Sequence, residues 1–249
     1  MSAARPPEGA PVSTAVREIA PGLVIQGITP PLRLRDFGLV AFDMDSTLIN
    51  IECVDEIAAA AGRKEQVAAI TEAAMRGEIA DYKASLRARV ALLEGVSVAS
   101  MEQVYATRLQ LNPGAESLVA ACRAAGLKVL LVSGGFTFFT DRIRDRLSID
   151  YTRSNVLEVA HGHLTGRMVD QPWGDICDGE EKRRMLLATC AQLGLRPDQA
   201  IAVGDGANDL PMMGVAGLSV AYHAKPRVRE QAMVAINSGG LDRLLDILR

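Results

Sequence analysis

The chain has 249 residues, of which 49% are hydrophobic and 23% are charged, and its formal net charge is −3. This length and apolar content suit a folded enzyme with a large core and exclude a disordered chain. Acidic and basic residues are intermixed, so we expect no surface for nucleic acid. No apolar run reaches the roughly 18 residues that span a bilayer, and the N-terminus lacks a signal-peptide pattern. These features predict a cytoplasmic protein with no membrane partner.

Residues 1–35 are rich in Pro, Ala and Gly. We expect them to be an N-terminal extension that is partly disordered, particularly around residues 4–7. Within it, Leu23–Ile25 can form a short edge strand, but Pro30 and Pro31 soon follow and limit its length. No chemistry is predicted for this extension.

An apolar run from Leu39 to Phe42 predicts a buried strand, and it leads into Asp43 and Asp45. Residues i and i+2 of a strand face the same side, so both carboxylates can point into one cleft. Two adjacent carboxylates repel each other unless a cation or a shared proton offsets their charge. The simpler alternative is a strand followed by an acidic helix cap, because Asp and Ser are common capping residues.

Helical patterns separated by glycines fill the next sixty residues. They predict helices over Val54–Ala61, Lys64–Arg76 and Tyr82–Leu93, and a fourth that begins at Ser97. No strand pattern interrupts residues 51–110. We therefore predict a small helical bundle inserted after the first strand of the core.

From Asn112-Pro113-Gly114 to the C-terminus, predicted helices and strands alternate, which argues for a parallel sheet covered on both faces. One exception is a predicted β-hairpin around His161-Gly162-His163. The other predicted strands cover 127–132, 200–203, 217–221 and 234–236, and the helices cover 136–146, 178–193 and 241–248. Residues 36–50 and 111–249 are thus predicted to form an α/β core with a doubly wound parallel sheet.

Small and polar residues also follow two later strands. Ser133-Gly134-Gly135 offers a hydroxyl and amides that can bind an anion, or else a plain turn with a helix cap. Asp205 and Asp209 follow the strand 200–203. In a doubly wound sheet these groups meet at the carboxyl ends of the strands. Together with Asp43 and Asp45 they make four carboxylates, whose charge a hard divalent cation would offset, and oxygen ligands favour Mg²⁺.

These segments, with Lys182 on the predicted helix 178–193, resemble the four motifs of the haloacid dehalogenase superfamily, and within it those of the phosphoserine phosphatase family. The resemblance covers about Gly38 to the C-terminus. It implies a HAD-like Rossmannoid core with a helical cap domain at 51–110. It also implies Mg²⁺-dependent hydrolysis of the small molecule O-phosphoserine, the last step of serine biosynthesis.

The resemblance further implies roles for individual residues. Asp43 is the nucleophile that forms an aspartyl-phosphate, and Asp45 is the general acid and base. Mg²⁺ is held by the carboxylates of Asp43 and Asp205 and the backbone carbonyl of Asp45, with Asp209 behind them. The implied phosphate-binding residues are Ser133, Gly134, Lys182 and Asn208.

Substrate choice is implied to depend on Glu52, which would bind the substrate amine, and Arg89, which would grip its carboxylate. Arg87 is a competing candidate for the second role. Each of these residues can equally be an ordinary surface residue of a helix, as can Lys182 when taken alone. Asn208 can either contact the phosphate or cap the next helix.

Three alternative functions remain open for this fold, and the first is a phosphatase that acts on another small phosphomonoester. A phosphotransferase of this fold would pass the phosphoryl group to an alcohol such as homoserine. A non-catalytic phosphometabolite-binding protein would be expected to lack Asp43 or Asp45, and both are present.

Three features lie outside the motifs. Tyr82 stands where the family pattern leads us to expect Phe, with an apparent extra residue between Gly77 and Ser85, and Pro172–Asp175 matches no familiar segment. The four cysteines are predicted to be free buried thiols and not metal ligands or disulfides. They are Cys53, Cys122, Cys177 and Cys190.

Overall fold

The computed structural model describes residues 15–76, 78–79 and 81–249, so the disorder expected at residues 4–7 lies outside the described residues. Within them a nine-stranded sheet has the order β1-β2-β9-β8-β7-β3-β4-β5-β6. The strands are β1 (Arg17–Ala20), β2 (Leu23–Ile25), β3 (Leu39–Phe42), β4 (Lys128–Phe136), β5 (Tyr151–Ala160), β6 (His163–Val169), β7 (Ala200–Gly204), β8 (Leu218–Tyr222) and β9 (Val234–Ile236). The helices are α1 (Cys53–Ala60), α2 (Lys64–Met75), α3 (Tyr82–Ala91), α4 (Val98–Thr107), α5 (Ala115–Ala124), α6 (Thr137–Leu147), α7 (Gly179–Leu193), α8 (Leu210–Met213) and α9 (Pro226–Gln231).

The middle of the sheet is parallel, as the alternation of helices and strands predicted. β3 pairs in parallel with β4 on one side and with β7 on the other, and β5, β8 and β9 continue the parallel pairing outward. After β3, the strands β4 to β6 are added on one side of it, and β7 to β9 are then added on the other side. In such sheets the helix connections diverge at this point and leave a crevice beyond the carboxyl ends of the strands. The α/β doubly wound prediction is confirmed.

Side chains of β3 pack alternately into two apolar layers. Val40 and Phe42 lie in the larger cluster, while Leu39 and Ala41 face the cluster that contains Leu186 of α7. All four β3 side chains are fully buried, which explains why the strand is a continuous apolar run. Burial of a side chain such as Phe42 contributes about 1.5–3 kcal/mol, so β3 holds its carboxyl end rigidly in place.

The helices α1 to α4 form one segment that leaves and re-enters the core at a single place. The Asn50 N–H donates to the Gln110 carbonyl at 3.0 Å, and the Asn50 side chain accepts from the Gln110 N–H at 2.7 Å. Further along, the Leu164 N–H of the β5–β6 hairpin donates to the Val96 carbonyl at 2.8 Å. The helical segment is thus joined to the core at its base and to the hairpin at its side.

Three details differ from the sequence prediction. Leu23–Ile25 forms a strand, but it is not at the edge, because β1 pairs with its outer side and β9 with its inner side. The predicted closing helix is a 3₁₀-helix over Leu241–Asp246, and its Leu241 and Leu244, together with Ile247 directly after it, recur every three residues and are all buried. β4 continues to Phe136, so Ser133-Gly134-Gly135 belongs to the strand and does not form a turn after it, and the next helix begins at Thr137.

Two further findings concern the cysteines and the possibility of a membrane-spanning helix. The four cysteines are buried and free, as expected. No helix of the described residues is long and apolar enough to cross a membrane.

Candidate active site

Three parallel strands deliver polar groups to the same edge of the sheet. Asp43 follows β3 directly, Asp205 follows β7 directly, and Ser133 lies in the last part of β4. β7, β3 and β4 are adjacent and parallel, so their carboxyl ends lie side by side. The structure therefore brings these three residues together at the crevice that the topology creates.

Lys182 is the centre of a buried charge network. Its side chain is fully buried on α7, and its Nζ donates to Asp43 Oδ1 and to Asp209 Oδ1, at 2.6 Å in each case. The other Asp209 oxygen accepts from the N–H groups of Asp205 at 3.1 Å and Gly206 at 3.0 Å. Both oxygens of Asp209 are thus engaged, and it acts as the link between Lys182 and the Asp205 loop.

Asp45 lies in a wide turn that reverses the chain after β3. The turn covers Met44–Leu48 and is closed by a 3.0 Å hydrogen bond from the Ile49 N–H to the Met44 carbonyl, with Ser46 at a φ of 57°. Asp45 is held by Cys53 at the start of α1. The Cys53 N–H donates to Asp45 Oδ2, and its thiol donates to Oδ1, both at 3.1 Å. These two donors fix the orientation of the Asp45 carboxylate.

The charges of this network shift the ionisation of its members. Burial raises the pKa of Asp43 well above its ordinary value, and the Asp209 carboxylate raises it further, while Lys182 opposes both. Burial alone would lower the pKa of Lys182, but the carboxylates of Asp209 and Asp43 raise it well above the ordinary value. Lys182 is therefore a permanent cation between two carboxylates that repel each other.

Two more carboxyl groups titrate near neutral pH. Burial, with a contribution from Glu52, raises the pKa of Asp45 to about 7. Burial, together with the Asp209 carboxylate, raises the pKa of Asp205 to about 7. The half-buried Asp45 can therefore either donate or accept a proton at neutral pH, which general acid and base catalysis requires.

The carboxylates are arranged to fit a cation. Oxygens of Asp43, Asp205 and Asp209 lie within 4.8 Å of one another. Because Lys182 is the only positive group that contacts them among the described residues, the cluster keeps excess negative charge. Both Asp209 oxygens are already engaged, which leaves Asp43 and Asp205 as the carboxylates with oxygens to spare. Carboxylate oxygens in this number suit a hard divalent cation.

Close packing around Ser133-Gly134-Gly135 explains the two glycines. A Cβ on Gly135 would lie 3.3 Å from Asp45 Oδ2, and a Cβ on Gly134 would lie 2.0 Å from the Tyr82 hydroxyl. Ser133 is fully buried, and its hydroxyl accepts from the Gly135 N–H at 2.9 Å. The chain therefore passes close to both Asp45 and helix α3, with room for backbone only.

The predicted substrate-binding residues of the helical segment make fewer contacts, and of these residues Glu52 lies near Asp45 and Asp205. Glu52 precedes α1 and accepts from the Ser46 hydroxyl at 2.7 Å. Arg89 on α3 is half-buried, and its only hydrogen bond among the described residues is a 3.4 Å contact from Nε to the Ser85 carbonyl. Arg87 is exposed and forms an ion pair with Asp175 at 2.5 Å. Of the two arginines, Arg89 thus has no carboxylate partner within hydrogen-bond distance among the described residues, whereas Arg87 is paired with Asp175.

Asn208 lies in a 3₁₀ turn over Ala207–Asp209, next to Asp205. Its side chain does not cap α8, whose N-cap residue is Asp209. Within the described residues, the capping alternative for Asn208 thus receives no support.

Sequence reasoning missed residues that hold the site together. Asn112 Nδ2 donates to the carbonyls of Thr47 at 2.8 Å and Ile49 at 2.9 Å, which clamps the turn that carries Asp45. The Thr47 hydroxyl donates to Asp205 Oδ1 at 3.4 Å. The sequence pattern places Asn112 only in the turn at 112–114, and its position some sixty residues from the Asp45 turn leaves no local signal of this clamp.

Comparison with known proteins identifies the same family as the sequence motifs. A family model described as haloacid dehalogenase-like hydrolase matches residues 40–214. The phosphoserine phosphatase of Polaromonas sp. is 81% identical over 232 residues, which covers 93% of this chain and 98% of that protein. The phosphoserine phosphatase of Albidiferax ferrireducens is 75% identical over 231 residues, with the same two coverages.

A solved structure has a similar fold. It is a phospho-aspartyl intermediate analogue of a phosphoserine phosphatase, and it matches with a TM-score of 0.78 and 36% identity. The match covers 86% of this chain and 99% of that one.

Proposed function

Because the chain belongs to the phosphoserine phosphatase family of haloacid dehalogenase-like hydrolases, we propose that it hydrolyses O-phosphoserine to serine and phosphate. It is a phosphoric monoester hydrolase, and its place is the last step of serine biosynthesis. The observation that carries the proposal is the carboxylate of Asp43, which accepts from the buried Lys182 at 2.6 Å and lies beside the Asp45 turn.

The first half of the reaction transfers the phosphoryl group to the protein. The Asp43 carboxylate attacks phosphorus, and the bond between phosphorus and the serine oxygen breaks. Asp45 gives its proton to that oxygen, so serine leaves as a neutral alcohol. A pKa of about 7 lets Asp45 carry this proton at neutral pH.

The second half restores the enzyme. Asp45, now ionised, takes a proton from a water molecule that attacks phosphorus. The bond between phosphorus and Asp43 breaks, and Asp43 returns to a carboxylate. The two donors of Cys53 keep Asp45 oriented for both proton transfers.

Charge repulsion between a carboxylate and a phosphate opposes the first step, and two groups reduce it. Lys182 supplies one fixed positive charge. Mg²⁺ would be held by the carboxylates of Asp43 and Asp205 and by the backbone carbonyl of Asp45, where it supplies the remaining positive charge. Asp209 remains behind these ligands, bound to Lys182.

Substrate recognition is divided between the core and the helical segment. In the core, the phosphate is bound by the Ser133 hydroxyl, the Gly134 amide, Lys182 and Asn208. In the helical segment, Glu52 binds the substrate amine and Arg89 its carboxylate, which an arginine can hold through two parallel hydrogen bonds. The segment 51–110 is then a cap domain over a core of residues 36–50 and 111–249.

We also propose that the protein acts in the cytoplasm. Four buried free thiols in one chain suit a reducing compartment. Fractionation of cells that express the protein at its native level would test this location.

The test is phosphate release from a panel of phosphomonoesters in the presence of Mg²⁺. We expect O-phosphoserine to be the preferred substrate, activity to stop in excess chelator, and Ca²⁺ to substitute poorly because it prefers longer bonds and a looser shell. Homoserine should not reduce phosphate release, whereas a phosphotransferase would form phosphohomoserine instead. Full activity in chelator would contradict the metal assignment, and a different preferred ester would contradict the substrate.

A further inference from the structure

A short turn before α7 is fastened firmly to the core. Gln171 and Gly174 exchange two backbone hydrogen bonds of 2.9 Å. Arg184 of α7 donates to the Trp173 carbonyl at 2.7 Å, and the Arg153 guanidinium lies 4.9 Å from the centre of the Trp173 ring. We call residues 171–175 the Trp173 turn. It is attached to α7, the helix that carries the buried Lys182.

The last residue of the Trp173 turn reaches across to the helical segment. Asp175 forms ion pairs with Lys83 at 2.8 Å and with Arg87 at 2.5 Å, both on α3. Lys83 also lies 3.5 Å from Asp178, the residue that caps α7. Two cations on successive turns of α3 thus face a carboxylate that belongs to the core.

Helix α3 is therefore held at both ends. Beyond its C-terminal end, the Gly95 N–H donates to the Leu164 carbonyl of the β5–β6 hairpin at 2.8 Å. Towards its N-terminal end it is held by the Trp173 turn. Tyr82, whose hydroxyl lies against Gly134, and Arg89 both belong to this helix. The position of α3 therefore sets the distance between Arg89 and the phosphate-binding residues of the core.

We propose that Asp175 is a positioning residue for substrate recognition, whose ion pairs with Lys83 and Arg87 hold α3 where Arg89 can meet the substrate carboxylate. This inference rests on the proposed function, because it assigns a task to the contact between Arg89 and the substrate.

The strength of these ion pairs suits a reversible contact. The side chains are exposed by 36% for Asp175, 35% for Lys83 and 54% for Arg87. The hydrogen bond from Lys83 is the main cause that lowers the pKa of Asp175 to about 2, so the carboxylate stays charged at every physiological pH. Exposed ion pairs are individually weak, so thermal motion can separate α3 from the turn. A substrate that binds only the docked arrangement then has an apparent affinity reduced by the undocked fraction.

The test variant is Asp175→Asn. Asn keeps the acceptor oxygen that binds the Ile176 N–H at 2.8 Å, so the turn is preserved and only the charge is removed. We expect KM for O-phosphoserine to rise roughly three- to tenfold, the range for loss of two exposed ion pairs, with kcat unchanged. Saturating substrate restores the docked arrangement through its own binding, which is why kcat is spared. KM for phosphoethanolamine, which lacks the carboxylate, should rise less.

Three further variants separate positioning from general damage. Asp198→Asn removes another exposed carboxylate, whose ion pair with Arg196 does not involve α3. This variant should leave KM for O-phosphoserine unchanged. Asp175→Glu keeps the charge and should recover most of the parent KM. The Lys83→Gln/Arg87→Gln pair should raise KM as Asp175→Asn does, and adding Asp175→Asn to it should have no further effect.

A measurement without substrate tests the docking itself. Amide hydrogen exchange in α3 of the Asp175→Asn variant should be roughly three- to tenfold faster than in the parent, while β3 and β4 exchange at the parent rate. Unchanged exchange in α3, or an unchanged KM while the parent hydrolyses O-phosphoserine, would overturn the inference. If the parent does not hydrolyse O-phosphoserine at all, the proposed function fails, and faster exchange in α3 would still support the docking role.

Discussion

Two sets of ion pairs connect the parts of this protein, and they differ in burial. Lys182, Asp43 and Asp209 are 0–7% exposed and form short, mutually dependent bonds at the ends of the core strands. The pairs between Asp175 and α3 are at least one-third exposed and connect elements that are far apart in sequence. Buried pairs are destabilising when broken, whereas exposed pairs contribute little. The residues that we propose for bond making are thus fixed by the fold, and the helix that carries the proposed substrate-binding Arg89 is held adjustably.

The largest expected effect comes from Asp43→Asn, because the change keeps the shape of the side chain and removes the charge of the proposed nucleophile. We expect O-phosphoserine turnover to fall roughly a thousandfold or more, with the fold unchanged by circular dichroism. Asp36→Asn, an exposed aspartate paired only with Arg33 among the described residues, is the matched control and should keep parent activity. A rate of one-tenth of the parent, with deamidation excluded by mass spectrometry, would exclude Asp43 as the nucleophile.

A second prediction tests how much the buried ion pairs of Lys182 contribute to the stability of the fold. Lys182→Met leaves Asp43 and Asp209 without their shared cation, and we expect the free energy of unfolding in chelator to fall by about 3–5 kcal/mol. Lys128→Met breaks an ion pair with Asp150, in which the lysine is about half exposed, and should leave the free energy of unfolding nearly unchanged. Denaturant titrations of both variants measure the difference. Equal effects would mean that burial does not distinguish the two pairs.

The third prediction tests substrate recognition by Arg89, which lies on the adjustably held helix α3. Arg89→Ala should lower kcat/KM for O-phosphoserine roughly ten- to hundredfold, since a hydrogen bond to a charged group contributes about 1.5–3 kcal/mol. Phosphoethanolamine should be affected much less. Arg89→Lys should recover only part of the loss, because lysine cannot form the planar fork.

Arg87→Ala is the matched control for Arg89. It removes an ion pair with Asp175 and should cause a smaller loss than Arg89→Ala. A large loss confined to O-phosphoserine in the Arg87 variant would transfer the carboxylate-binding role to Arg87.

The smallest expected effect is a pH dependence of stability. The pKa values of Asp45 and Asp205 are about 7 in the folded chain against an ordinary value of 3.8. The folded state therefore binds more protons between about pH 4 and pH 7, and its stability falls as the pH rises through that window. In chelator we therefore expect Tm, measured by thermal denaturation, to be lower at pH 8 than at pH 5.

Mg²⁺ and one variant sharpen this pH test. With Mg²⁺ present the fall in Tm should be smaller, because the cation stabilises the ionised carboxylates. The folded Asp205→Asn variant has one fewer proton to lose. In chelator its Tm should therefore fall less between pH 5 and pH 8 than the Tm of the parent. Identical pH profiles for the parent and this variant would contradict the raised pKa of Asp205.

The buried side of the comparison is also the easier one to predict from sequence. The alternation of β3 between two apolar layers produces a run that marks a buried strand, and the groups that follow it must lie at its carboxyl end. The amino-acid pattern alone therefore places Asp43 and Asp205 in one crevice. Lys182 is different, because a lysine on a helix is usually exposed and only its position within the family pattern marks it.

Contacts between distant segments cannot be predicted in this way. Asn112 clamps the Asp45 turn and Asp175 holds α3, but each does so through side chains that meet only after the chain has folded. β1 was not predicted because nearly all of its side chains are exposed, so its sequence shows no alternation of apolar and polar residues. The C-terminal 3₁₀-helix has a signal, the three-residue spacing of Leu241, Leu244 and Ile247, which also fits an α-helical face.

The only tryptophan of the chain is in the Trp173 turn, which affects how unfolding of this protein can be followed. Tryptophan emission reports the surroundings of Trp173, that is, the stacking on Arg153 and the contact with α7. Circular dichroism at far-ultraviolet wavelengths reports all helices at once. If the turn separates before the core melts, the two spectroscopic transitions will not coincide, and the gap between their midpoints will measure how independent the turn is.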